Sequence, residues 1–212
     1  MLEVQLAHAR WCQLRRHHDD ELPGTTADCG HRERSHGNHQ QDQDALLLMD
    51  WEQAREDIQH WMMDFVEKPN PLLAGWPPCP YARQARLQGR VDIRPGILDP
   101  YADSELAEIG SWDVIGYVYD PARFAADQFN GLVDQANQDW LLPRGMIALA
   151  DHPQDPEIVN GVCMNQGRWA IMFLQDLAKL NDAAEQLARK GFYHGWPEHY
   201  LQTLFHNRKD PR

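Results

Sequence analysis

The composition of this chain breaks at residue 49, and that break decides how much of it can build a core. Residues 1–48 contain no Phe, Tyr or Ile, a single Val, and six of the eleven histidines. The stretch Gly24–Asp44 is almost wholly polar. So little apolar surface cannot offset the entropy of ordering a chain. The head therefore reads as a disordered tail or upstream extension. From Met49 the texture turns periodic and aromatic, with seven of the eight tryptophans. Met49–Arg212 is then the working domain, a length suited to one hydrophobic core.

Within it, Asp50–Glu67 carries Trp51, Ala54, Ile58, Trp61, Met62 and Phe65 near helical spacing, the pattern of an amphipathic helix. Pro69, Pro71, Gly75, Pro77, Pro78 and Pro80 make Lys68–Pro80 irregular. A short helix over Tyr81–Leu87 follows. Strands are expected at Arg90–Arg94, Asp113–Tyr119, Gly145–Ala150 and Trp169–Gln175. The last two are near-continuous apolar runs, as buried strands require. Helices over Pro121–Trp140, Leu177–Lys190 and Glu198–Asn207 complete the order α-β-β-α-β-β-α-α. That order predicts an α+β fold, a four-stranded, mostly antiparallel sheet with helices packed on it.

A formal net charge of -12 argues against a nucleic-acid backbone or an anionic membrane as the main partner. No apolar run approaches the roughly 18 residues that cross a bilayer. Cys12, Cys29, Cys79 and Cys163 lie far apart with no C-x-x-C pair, which excludes a disulfide framework or a zinc ribbon. With no apolar leader at the N-terminus, the reading is cytoplasmic. Glycine-rich phosphate cradles and the serine-hydrolase elbow are absent from the sequence.

Three stretches carry residue types suited to chemistry. Asp151–Glu157 (D-H-P-Q-D-P-E) sets an imidazole and three carboxylates just past a buried strand, on a loop stiffened by Pro153 and Pro156. Asp151 and His152 suit general acid–base work, and Asp151, His152, Asp155 and Glu157 suit a divalent metal. The plainer alternative is a polar turn. Cys79, in W-P-P-C-P-Y-A, stands at a helix start where the dipole would favour thiolate. A packed, inert thiol is the alternative. In Gly191–Arg208, His194, His199 and His206 occur among Phe192, Tyr193, Trp196 and Tyr200. They would frame a flat aromatic ligand or else close a core. Cys12, Cys29 and His31 in the head suggest metal binding by composition alone.

Cys79-Pro80-Tyr81-Ala82 resembles the Cys-Pro-Phe-Ala motif of an uncharacterised bacterial family, with Tyr81 standing where Phe is usual. That resemblance implies strands after the motif, a strand-end His-Pro, here His152-Pro153, and an apolar strand leading into a helix, here Trp169–Leu180. Gly167-Arg168-Trp169, Leu187–Tyr193 and Arg208-Lys209-Asp210 are similar to the C-terminal half of a haem-dependent family that hydroxylates guanidine nitrogen. The His-Pro usual after that family's strand is Gln175-Asp176 here.

Two functions follow as expectations. One is a small-molecule enzyme whose Cys79 loop and Asp151–Glu157 loop meet at one site, with iron or haem held by Cys79, His152, His194 and His199. The other is a non-catalytic binding or assembly protein, a homo-oligomer using Trp196 and Tyr200 as aromatic anchors.

Overall fold

The computed structural model describes residues 49–198 and Leu201. The expected N-terminal tail with Cys12, Cys29 and His31 lies outside the described residues, as do His199, Tyr200, His206 and most of the expected last helix.

Asp50 starts the first helix by accepting the Gln53 N–H at 3.1 Å, and α1 runs Trp51–Trp61 before a π-helical turn at Met62–Val66. This confirms the expected amphipathic segment, with Ala54, Ile58, Met62 and Val66 buried. After the proline-rich loop come α2 (Ala82–Leu87) and β1 (Val91–Pro95). A short helix absent from the sequence expectations, α3 (Pro100–Glu105), then leads to β2 (Val114–Tyr119). Its start is nevertheless written in the sequence. Asp99 accepts the Ala102 N–H at 2.9 Å and Pro100 occupies the first turn, where a missing N–H costs nothing.

The helix expected over Pro121–Trp140 is broken into a 3-10 turn, α4 (Ala126–Ala136) and a π-helical stretch at Asn137–Leu141. β3 (Met146–Asp151) follows, then the two-residue strands β4 (Ile158–Val159) and β5 (Val162–Cys163). β6 (Ala170–Asp176) runs directly into α5 (Leu177–Arg189), which Asp176 caps through the Lys179 N–H at 2.8 Å.

The main sheet is four-stranded in the order β1-β2-β6-β3, parallel between β1 and β2 and antiparallel elsewhere. The α+β architecture read from the sequence is therefore the fold. Helices cover both faces. Because side chains alternate along a strand, Val114, Val118, Ile171, Phe173, Ile147 and Leu149 share one cluster with α1, α2 and α5. Ile115, Tyr119, Met172, Leu174, Met146 and Ala148 share the other, under α4. Among the described residues, no helix is long and apolar enough to cross a membrane.

α1 is tied to the start of β6 through one carboxylate. Asp57 accepts the Trp169 indole N–H at 2.9 Å, Arg168 at 2.8 Å and Gln53 at 2.8 Å. Burial would raise the Asp57 carboxyl, but the hydrogen bonds from Trp169 and Gln53 and the charges of Arg168 and His60 outweigh it and hold it below its ordinary value. A carboxylate lowered in the folded state stabilises above its unfolded value and loses that contribution as pH falls through the folded one. Asp57→Asn should thus flatten the acid limb of the stability curve below about pH 4 and leave its shape near neutrality unchanged. Urea titrations at stepped pH test this; an unaltered acid limb would show that the carboxylate's charge is idle.

Candidate functional site

The expected catalytic residues Cys79, Asp151 and His152 do not converge on one site. Cys79 is buried in the cluster of α1 and α2, its N–H donating to the Val66 carbonyl at 3.0 Å. His152 packs its ring against Phe129 at 5.8 Å, in the cluster on the opposite face of the sheet. Its Nε2 lies 3.1 Å from the Phe124 carbonyl, and its Nδ1 accepts the Gln154 N–H at 3.2 Å. These contacts define the neutral ring with its proton on Nε2. Both ring nitrogens are thereby engaged at 0 % exposure, so the imidazole joins the end of β3 to the segment leading into α4.

Asp151, also at 0 % exposure, belongs to the other side of the sheet and braces the following loop. It accepts Asn165 Nδ2 at 2.8 Å and the Gln166 N–H at 2.9 Å. Asn165 in turn accepts the Glu157 N–H, and Asp155 accepts Asn130 Nδ2 of α4 at 3.2 Å. The divalent-metal expectation at Asp151, His152, Asp155 and Glu157 is corrected accordingly. Among the described residues, no three His, Cys, Asp or Glu side chains come together as a metal-binding group. The reason is alternation: Asp151 and His152 are chain neighbours at a strand end and turn to opposite faces. The loop also contains a hairpin the sequence reading missed, β4 to β5 through Asn160-Gly161, with φ of 50° and 80°. Asn-Gly between apolar residues was the signal for it.

The thiolate expectation at Cys79 is also reversed. Burial pushes its thiol above the ordinary value despite N–H donation from Tyr81 and Ala82. His194 is exposed in the turn after α5, while Cys79 and His152 are buried in clusters on opposite faces of the sheet, so these two members of the expected haem ligand set do not meet. Tyr193 and Trp196 are buried against Phe192, and Phe192 meets Trp76 of the proline-rich loop at 5.5 Å. Trp196 is thus spent on the core and cannot serve as the expected surface anchor. A groove of about 490 Å³ lies along Met63, Asp64, Lys68 and Arg83. Its remaining acid, Glu67, is closed onto Arg86 by hydrogen bonds of 2.6 and 2.8 Å.

The two edges of the sheet differ, and this difference was invisible in the sequence. On the β3 edge, the Asn137 carboxamide donates to the Ala148 carbonyl at 2.8 Å and accepts its N–H at 2.7 Å. A side-chain amide there takes the place of a neighbouring strand. On the β1 edge, the parallel register directs Arg90, Asp92, Arg94 and Gly96 backbone groups at β2, as the Gly96 N–H to Val118 carbonyl bond of 2.8 Å shows. The backbone groups of Val91, Ile93 and Pro95 therefore face outward. Among the described residues no hydrogen bond reaches the N–H of Val91 or Ile93. Exposed aliphatics flank this strand: Leu87 at 68 %, Ile97 at 51 % and Leu98 at 40 %.

Comparison with known protein families, with curated proteins and with solved structures finds no match for this chain.

Proposed function

We propose that this domain is a non-catalytic binding and assembly module that takes on an extended segment along β1. The observation that carries this reading is the asymmetry of the sheet. One edge is plugged by Asn137, while the other presents outward N–H and C=O groups between exposed aliphatic residues. Open edges template strand addition, and natural chains protect those they do not use. The small-molecule enzyme reading, with iron or haem, finds no geometric support, because its thiol and imidazole lie on opposite sides of the sheet. A cytoplasmic setting accords with four cysteines widely spaced in the sequence.

The test uses a synthetic peptide of the sequence Arg90–Gly96 as the probe, titrated into the isotope-labelled full chain. The expected result is perturbation of the Val91 and Ile93 amide resonances, with Ala148 unmoved. An undisturbed β1 edge, or equal shifts at Ala148, would overturn the reading.

A further inference from the structure

We infer that the segment added to β1 is β1 of a second copy of this chain, paired antiparallel about a twofold axis through Ile93. This rests on the edge-addition reading above and names its partner.

A twofold contact requires a surface complementary to itself, and the sequence of β1, V-D-I-R-P, has that property. Antiparallel pairing centred on Ile93 sets Asp92 of each copy opposite Arg94 of the other. Since Ile93 presents its backbone outward, Ile93 lies opposite itself as a hydrogen-bonded pair. It exchanges N–H and C=O bonds with Ile93 of the second copy, and each Val91 N–H reaches the other copy's Pro95 carbonyl. The N–H that Pro95 lacks is missed only at the two ends of the ladder. Asp92 and Arg94 then form non-hydrogen-bonded pairs, in which facing side chains come closest.

The same face of β1 already holds Arg94 against Asp92 at 2.7 Å, with Tyr117 of β2 as a further partner of Arg94, so the twofold contact trades a pairing within one strand for two between strands. Ile93 keeps its side chain on the core, against Gly116, where an added Cβ would come within 3.2 Å of the Ile93 Cδ1. Its backbone alone is offered outward. The antiparallel direction also brings the Leu87 end of one strand to the Ile97–Leu98 end of the other, covering aliphatics exposed in the single chain. Two four-stranded sheets become one continuous sheet, whose outer edges are the ones Asn137 plugs. A register centred on Val91 would set Asp92 against Arg90. Arg90 already faces Asp113 at 3.2 Å, and that overlap is shorter.

Sedimentation equilibrium of the full chain tests the inference, with the expected mass rising to twice 24.6 kDa as concentration increases. Asp92→Arg alone and Arg94→Asp alone each set like charges opposite and should weaken the dimer by about ten- to a hundredfold. Mixed together, the two variants restore both opposite pairs and should form a heterodimer with near wild-type affinity. In the wild-type chain the Val91 and Ile93 amides should exchange more slowly as concentration rises, a readout independent of whether a variant folds. A monomer at every concentration overturns the proposal. So does a dimer indifferent to Arg94→Asp, or one that mixing fails to restore. If the Arg90–Gly96 peptide shifts the Val91 and Ile93 resonances while the chain stays monomeric, the second copy is refuted and edge addition stands.

Discussion

Gly96→Ala should destabilise the domain by about 3 kcal/mol or more, at the upper end of what over-packing costs. For a chain of this size that lowers Tm by roughly 6–12 °C. A Cβ added at Gly96 would lie 2.0 Å from Cε1 of Tyr119, a ring at 0 % exposure. The ring cannot retreat, because it packs on Phe124 and Phe129 and its hydroxyl donates to Asp103 at 2.9 Å. Asp103 also accepts the Ile97 N–H at 2.9 Å, so the clash reaches the chain just after β1. Combined with Tyr119→Ala, the two costs should be sub-additive, since truncation removes what the new methyl meets. Gly131→Ala is the contrast. It sits in α4 with nothing within 4 Å of its added Cβ, and should stabilise by about 0.5–1 kcal/mol. Urea unfolding reads all of these; a neutral Gly96→Ala would mean that β1 is not held against β2 as described.

Phe129→Ala should cost about 3–5 kcal/mol. The Phe129 ring is fully buried at the centre of an aromatic group, 5.5 Å from Tyr119, 6.0 Å from Phe124 and 5.8 Å from the imidazole of His152. Its removal leaves a void that the neighbouring strands can fill only in part. The His152 ring should also loosen, because Phe129 is the wall behind it, and its proton resonances report that directly. If stability falls by less than about 1 kcal/mol, the cavity has collapsed and this side of the sheet is softer than its packing implies.

Much of the architecture was legible in residue pattern. Trp169–Gln175 and Gly145–Ala150 are near-continuous apolar runs, which suit strands covered on at least one face, and the structure buries 169–175 and 146–149. Asp50, Asp99 and Asp176 each stand one residue before a helix and cap it through their side chains. α3 was missed because six residues hold too few apolar positions to show a period. The β4–β5 hairpin was missed although Asn160-Gly161 announces it.

The candidate sites fared differently for a physical reason. Cys79, Asp151 and His152 drew notice as reactive residue types on stiffened segments, but type and stiffness do not say which side of a sheet a side chain takes. Cys79 joins one core cluster, Asp151 braces its own loop, and His152 closes onto Phe124 and Phe129 across the sheet. From the sequence alone came the break at residue 49, the number of strands in the main sheet, the starts of α1 and α5 and the acidic balance, because each depends on local composition or period. Tertiary structure alone decided which strands lie at the edges of the described sheet, that Asn137 occupies one of them, and that the backbone groups of Val91 and Ile93 face away from β2 on the other. Those facts depend on strand order and register, which are set by contacts between residues far apart in the chain and leave no local mark.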